Sequence, residues 1–358
     1  MSGALFEREA AGLLDSLRRM GLAAAAEQPR LTLLTGGVSS LIARAELRGG
    51  PVCVKQARPR LQVAAEWHAP VERSRAEVAW LRFAARLSPQ SVPAVIGEDA
   101  ASFAFAMTWL DPDRYRNWKT ELSAGRTDPA FAARVGAALA GFHLATAGRP
   151  DVERAFDNRA SFRALRLDPY FAAAAGVHPG RAGILQRLIE RTGDSRVAVM
   201  HGDVSPKNLL IGPDGPVFLD AECACCGDPA FDAAFCLAHL LLKGAWKPQW
   251  REAFLACFDA LAEAYLDRAA WEPRGGLEPR IAGLLGALLL ARVDGKSPVE
   301  YLASETARAP VRRFALEILA DPPARLAEIA SAWRSLPLEA PAPPTGVPSG
   351  HPATGRPA

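Results

Sequence analysis

The densest chemistry in this 358-residue chain lies in Met200-His201-Gly202-Asp203-Val204-Ser205-Pro206-Lys207-Asn208, followed by Phe218-Leu219-Asp220-Ala221-Glu222. The pattern reads as a strand, then a loop holding one aspartate, then an asparagine opening a hairpin whose return strand ends in a second aspartate. That reversal brings Asp203, Asn208 and Asp220 to the same end of the hairpin. An amide oxygen and a carboxylate are hard donors, suited to Mg2+ carrying phosphates, and so Asn208 and Asp220 are the candidate metal ligands. The remaining carboxylate, Asp203, can accept a proton from a hydroxyl and is the candidate catalytic residue.

A second constellation lies far upstream. Val52-Cys53-Val54-Lys55 reads as an apolar strand ending in a lysine, where an ammonium is costly without a partner. Glu77, on the helix that follows Pro70, is its natural counter-charge. The chain has only six lysines, at 55, 119, 207, 243, 247 and 296, so nearly all its positive charge is arginine and each ammonium invites a reason.

Asp203, then Asn208, then a metal-binding Asp220 resembles the kinase catalytic loop. With His-Gly-Asp in place of His-Arg-Asp, and Gly227-Asp228-Pro229-Ala230-Phe231-Asp232 downstream, the chain resembles the aminoglycoside phosphotransferase and choline kinase superfamily over roughly residues 30 to 330. The resemblance implies an α+β fold of two lobes, protein-kinase-like, with a small β-rich N-lobe and a larger helical C-lobe. It also implies ATP and Mg2+ as cofactors. Lys55, held by Glu77, would contact the α- and β-phosphates. The loop Thr35-Gly36-Gly37-Val38-Ser39-Ser40 would cover the phosphates with its backbone N–H groups and the Ser39 and Ser40 hydroxyls. Phe105 to Leu110, with Met107 and Trp109, would be the hinge whose backbone binds adenine. Lys207 either neutralises γ-phosphate charge or is a solvated loop lysine.

A narrower resemblance is to methylthioribose kinase and its relatives. It rests on Lys55-Gln56-Ala57, Glu66-Trp67, Pro70, Glu72-Arg73 ahead of Glu77, the run Phe162 to Tyr170, and Arg292-Val293-Asp294-Gly295. It implies that Arg292 helps hold a sugar-like substrate; a helix-end arginine meeting the dipole is the other reading. Ser40 stands where that enzyme has Asn, and Asp220-Ala221-Glu222 is closer to the aminoglycoside and choline kinases.

The elements needed to position these residues can be read around them. An amphipathic helix over 4–26 precedes strands over 31–35, 41–47 and 52–55, a helix over 71–87, and strands over 92–96 and 103–109. Helices dominate from about 128: one over 130–147, one opened by Asp168-Pro169, and one opened by Asp228-Pro229 and running to Leu242. A short strand over 197–200 and a hairpin of 208–211 with 217–220 carry the catalytic residues. The chain thus divides into an N-terminal nucleotide-binding lobe over 1–110 with a leading helix in 1–28, a catalytic lobe over 111–335, and a disordered Pro-rich tail over 336–358.

Composition excludes several functions. A net charge of +3 is too mild for a nucleic-acid binder, and 49% apolar residues exclude a disordered chain. The most apolar run, Ile281 to Ala291, is too short to cross a bilayer, and no export signal opens the sequence, so a cytoplasmic protein with reduced thiols is expected. Cys223-x-x-Cys226 and Cys236-x-x-His239 have zinc-like spacing, yet Cys236 and His239 fall in an apolar helix, where buried thiols and a core histidine account for them. His143 reads as structural, His201 as a brace for its loop, and Asp232 as a tie from its helix to that loop.

The reading is an ATP-dependent small-molecule kinase, a monomer or homodimer, acting on a sugar-like or amino-alcohol hydroxyl and partnered with neither nucleic acid nor membrane. The alternatives are an aminoglycoside-type antibiotic phosphotransferase and a non-catalytic nucleotide-binding module. The latter predicts loss of Lys55, Asp203, Asn208 or Asp220, and all four are present. A polycationic acceptor needs an acid-lined pocket; Asp168, Asp294 and Glu300 could contribute, but the sequence shows no dense acidic cluster, which favours a sugar-like or less cationic alcohol.

Overall fold

Strand β3 (Gly50–Ala57) shows how the N-terminal region is layered, because its two faces meet different cores. Val52 and Val54 point to one side, against Leu13 and Leu17 of helix α1 (Gly3–Arg19) and Ala43 and Ala45 of β2 (Ser40–Leu47). Lys55 points to the other, opposite Phe105 in the register and toward α2 (Arg73–Leu87). The computed structural model describes residues 3–34, 39–59 and 69–338. The sheet is antiparallel, in the order β1 (Leu31–Leu33), β2, β3, β5 (Ala104–Thr108), β4 (Val95–Asp99).

Beyond β5, a two-residue strand β6 (Arg116–Asn117) leads into α3 (Trp118–Ser123) and α4 (Pro129–Leu144). Short helices α5 (Pro150–Ala155) and α6 (Arg159–Phe162) run into a π-helical stretch, Arg163–Ala172, then α7 (Ala173–Val177) and α8 (Ala182–Asp194). Strand β7 (Ala198–Met200) pairs with β10 (Cys225–Gly227), while β8 (Leu209–Gly212) and β9 (Gly215–Phe218) form a hairpin edged by β6. Helices α9 (Ala230–Trp246), α10 (Arg251–Arg268), α11 (Arg274–Asp294), α12 (Glu305–Ala320) and α13 (Leu326–Arg334) complete the described chain. Among the described residues no helix is long and apolar enough to cross a membrane. The fold is thus mixed, with a β-sheet N-terminal region and a helical C-terminal part.

The larger core runs continuously from α2 into the C-terminal helices. Trp80 of α2 is its pivot, with ring contacts to Phe142 on α4, His201 and Phe218. One closely packed glycine fixes how α4 meets α10: a Cβ on Gly136 would lie 2.3 Å from the Leu261 carbonyl oxygen.

Several boundaries differ from those read in the sequence. Helix α1 stops at Arg19 rather than reaching 26, because Gly21 turns the chain with φ +72°. Strand β4 begins at Val95, since a 3-10 turn over Pro89–Ser91 tucks Val92 into the core first. Asp168-Pro169 does not open a helix. Pro169 lies inside the π-helical stretch, in a helix already running from Arg159, so the residue pair sits mid-helix rather than at a start. Asp168 is exposed there and pairs with Arg163 at 3.3 Å. Helix α9 continues past Leu242 to Trp246. The loop residues 35–38, the Glu66-Trp67 pair and the tail beyond Leu338 lie outside the described residues.

Candidate active site

The candidate catalytic loop leaves β7 at Met200 and is clamped from below by one carboxylate. Asp232, in the first turn of α9, accepts from the His201 N–H at 2.7 Å and the Gly202 N–H at 2.8 Å. His143 bridges the same carboxylate, at 3.1 Å, to the Tyr265 hydroxyl, at 3.0 Å. Gly202 is required at its position. Its φ is +76°, and a Cβ there would meet Cys223 Cβ at 2.7 Å and the Cys223 carbonyl oxygen at 2.8 Å. His201 braces the loop: Nε2 donates to the Leu219 carbonyl at 3.1 Å and Nδ1 accepts from the Asp203 N–H at 3.2 Å. Burial lowers the His201 pKa, which suits this neutral, one-donor one-acceptor role.

Two linked clusters sit above this loop. In the first, Asn208 Nδ2 donates to Asp203 Oδ2 at 2.7 Å and to the Asp203 carbonyl at 3.0 Å. In the second, Lys55 Nζ lies 2.7 Å from Glu77 Oε2 and 2.5 Å from Asp220 Oδ1. Burial opposes the Lys55 charge, but Asp220 and Glu77 more than offset it and raise its pKa. Burial likewise works against the Asp220 anion, and Lys55 overrides it and lowers the Asp220 pKa. Asp220 is held in the left-handed region, φ 66°, as a non-glycine residue at the end of the hairpin.

The donor set fits a hard cation. With Nδ2 of Asn208 committed to Asp203 and Oδ1 of Asp220 to Lys55, Asn208 Oδ1 and Asp220 Oδ2 have no hydrogen-bond donor among the described residues. Two hard oxygens are what a Mg2+ ion uses when phosphates and waters fill its other positions. No group of three or more His, Cys, Asp or Glu residues poised to hold a metal occurs among the described residues. The cysteines at 223, 225, 226 and 236 are free and buried, and burial raises each of their pKa values, Cys226 to about 11.

The remaining candidates are spread around these clusters. Ser39 is buried, and its carbonyl accepts from the Arg58 N–H at 3.0 Å; Ser40 opens β2 opposite Ala57. Met107 lies on β5 opposite Cys53, and Trp109 follows that strand with the Arg44 guanidinium 4.9 Å above its ring. Arg292, in the last turn of α11, donates to Ser297 Oγ at 3.0 Å and to the Tyr170 hydroxyl at 3.3 Å. The three proposed acidic lining residues do not gather. Asp168 points to solvent, Asp294 is held by Arg312 at 2.6 Å and His178 at 2.8 Å, and Glu300 is paired with Lys119 at 2.6 Å.

Two arginines were not singled out in the sequence, and both are central. Arg166 Nη2 lies 2.8 Å from Asp203 Oδ2 while its Nε donates to the Gly202 carbonyl at 2.8 Å. Arg73 is fully buried and reaches Glu222 Oε2 at 3.0 Å, the Arg58 carbonyl at 2.8 Å and the Ser39 carbonyl. It thereby ties the end of the 35–40 loop to the segment carrying Asp220. Arg166 stands in the Phe162–Tyr170 run and Arg73 in the Glu72-Arg73 pair, so the resemblance already held both without assigning either a role.

Comparison with known proteins places the chain by family and fold. The model of the phosphotransferase enzyme family (APH) matches residues 30–277. No curated protein matches the chain. A choline/ethanolamine kinase family protein from Mesorhizobium loti shares the fold at TM-score 0.54 and 18% identity, over 92% of this chain and 99% of that one. Amicoumacin kinase hAmiN, solved with AMP-PNP, Ca2+ and Ami, does so at TM-score 0.53 and 14% identity, over 89% and 96%. Spectinomycin phosphotransferase, solved with ADP and spectinomycin, does so at TM-score 0.50 and 12% identity, over 91% and 98%. At such identities these neighbours speak for the fold, while the family match covers more than half of the sequence: the chain belongs to the phosphotransferase enzyme family.

Proposed function

We propose that this phosphotransferase moves the γ-phosphoryl group of ATP to a hydroxyl of a small molecule. The observation that carries the reading is the junction of the two clusters. Asp203 is fixed by Asn208 at 2.7 Å, while Lys55 is fixed between Glu77 and Asp220, leaving Asn208 Oδ1 and Asp220 Oδ2 open for a cation. Asn208 and Asp220 would hold Mg2+. Bound there, the ion supplies neutralisation of phosphate charge.

Lys55 binds the α- and β-phosphates and is kept charged by Glu77. Asp203 accepts a hydrogen bond from the acceptor hydroxyl and so aims its oxygen at the γ-phosphorus. As the new P–O bond forms, the bond to the β,γ-bridging oxygen breaks, ADP leaves, and the hydroxyl proton passes to Asp203. Phosphoryl transfer depends on positioning and charge more than on a strong base. Ser39, Ser40, Met107 and Trp109 complete the nucleotide site in this reading, in a lobe spanning 1–110, and the protein works in the cytoplasm.

The test is ADP release across hydroxyl compounds, with Asp203→Ala as the blank. The variant should lose on the order of 10²-fold or more in turnover while still binding AMP-PNP with Mg2+. Unchanged turnover would sink the assignment.

A further inference from the structure

The region beside Asp203 on the α9 and α11 side collects positive charge. One face of α9 carries Asp232, His239, Lys243 and Trp246 at spacings that stack them along the helix. Asp232 holds the catalytic loop, so the rest of this stripe runs outward from it. The Arg166 guanidinium, which pairs with Asp203, lies 6.0 Å from the centre of the Tyr170 ring, and the Arg292 guanidinium lies 5.6 Å from the same ring. Arg292 is therefore one aromatic ring away from the partner of Asp203.

Arg166 and Lys207 share Asp203 and Lys119 is paired with Glu300, but Arg292 and Lys243 have no carboxylate within ion-pair distance among the described residues, with Glu300 the acid acting on both. Arg292 bonds only Tyr170 and Ser297 among the described residues, and its Nε is buried with no partner. Lys243 Nζ donates to Ser123 Oγ at 2.8 Å and sits 4.7 Å from the Trp246 ring and 4.5 Å from the Tyr301 ring. His239 has no hydrogen-bond partner among the described residues and is partly exposed. Burial lowers its pKa, and Arg292, Lys207, Lys243 and Lys119 all lie near enough to lower it further. Burial and Lys119 together lower Lys243 to about 8. The Tyr301 hydroxyl is likewise buried without a partner.

Such a cluster is expensive to assemble unless an anion completes it. We propose that the acceptor of this phosphotransferase is a hydroxyl compound bearing an anionic group, a carboxylate or a phosphate, held by Arg292 and Lys243 while its hydroxyl meets Asp203. The inference rests on the phosphotransferase reading and narrows it. It disfavours polycationic aminoglycosides and choline, which would bring positive charge against Arg292, Lys243 and Lys207.

Two measurements test it. In the first, inorganic phosphate and citrate are titrated into full-length protein already saturated with AMP-PNP and Mg2+, in the wild type, Lys243→Met and Arg292→Met. Arg292 also fastens the turn at Ser297, so Lys243→Met, which keeps the stem in its aromatic setting, guards against a folding artefact. Anion affinity should fall by at least about tenfold in each variant. No anion binding in the wild type, or equal binding in wild type and variants, overturns the proposal. In the second, ADP release compares glycerol with glycerate and glycerol 3-phosphate, and ribose with ribose 5-phosphate, alongside choline and kanamycin. An anionic compound should have the highest kcat/KM of the panel; a cationic or neutral compound in that place overturns the proposal. The phosphotransferase reading fails separately, through absent AMP-PNP binding or an Asp203→Ala variant that still turns over.

Discussion

Arg166 Nη2 and Asp203 Oδ2 are 2.8 Å apart, in side chains only 8% and 3% exposed. The carboxylate proposed to meet the acceptor hydroxyl is thus held by a guanidinium as well as by Asn208, with the Lys207 ammonium 3.2 Å away. Burial opposes the Arg166 charge and the Asp203 anion more than restores it, raising the arginine's pKa. In the proposed mechanism, a carboxylate so well satisfied acts as a positioning anion that takes a proton only late in transfer. Arg166→Met should lower kcat by about 10- to 100-fold with KM for ATP changed less than about twofold. Arg166→Lys should recover only part, because an ammonium cannot reach Gly202 and Asp203 with the fixed fork that Arg166 uses. Steady-state kinetics with the best acceptor decide it, and an equal rise in KM for ATP would refute the positioning role.

The glycine of His-Gly-Asp yields a backbone prediction. In Gly202→Ala the new Cβ would lie 2.8 Å from the Cys223 carbonyl oxygen, at a φ of +76° that disfavours any side chain. The left-handed conformation alone costs about 1–2 kcal/mol, and the obstruction is backbone, which cannot swing aside. The variant should melt lower and lose most turnover, because the displaced loop carries Asp203. Cys223→Ala in the same background should not restore it, since the carbonyl remains. Thermal melts and ADP release on the single and double variants check both statements.

The ammonium of Lys55 neutralises two carboxylates at once, and its removal exposes that dependence. Lys55→Met leaves Glu77 and Asp220 facing each other without the ammonium between them, in a site where Glu77 is 2% exposed. Breaking a buried ion pair by deleting one partner costs about 3–5 kcal/mol, and nucleotide affinity should fall as well. Adding Glu77→Gln removes one of the stranded charges. The double variant should therefore melt higher than Lys55→Met while binding AMP-PNP no better. A double variant less stable than the single one would contradict this account.

How much of this could be read in the sequence varies by kind of residue. Asp203, Asn208 and Asp220 were legible because a loop and hairpin of fixed length leave few ways to place them, and Lys55 because an ammonium in an apolar strand demands a partner. Arg166 was not, since its partner lies 37 positions away and its helix is locally misleading. Asp168-Pro169 carries the signature of a helix start, yet Pro169 lies inside a continuous helix whose π-helical stretch also carries Arg166 to Asp203. Arg73 was hidden for a related reason: its partners come from three separate segments, at Arg58, Ser39 and Glu222. The absence of a dense acidic cluster was legible, but the ion pairs that occupy the acids present were not, because their partners lie on other elements. Asp294 and Glu300 are neutralised by Arg312 and Lys119, and the unneutralised groups are basic.

That basic region predicts a dependence on pH. Burial, then Lys119, lower Lys243 from 10.5 to about 8; Glu300 raises it and Lys247 lowers it. Below pH 8 the ammonium is present and attracts an anionic acceptor; above it the charge is lost. KM for an anionic acceptor should therefore rise by about three- to tenfold between pH 7 and 9.5. Lys55, which its carboxylates keep charged through this range, should leave KM for ATP nearly flat. The stability sign is opposite. A lysine whose folded pKa lies below its unfolded value costs stability while protonated, and that cost disappears as pH climbs from about 8 toward 10.5. In Lys243→Met both effects should vanish: KM for the anion is high at every pH, and the melting temperature of the free protein loses this contribution to its rise. Parallel kinetic and melting series at four pH values separate Lys243 from any general alkaline loss of activity, which would move KM for ATP as well.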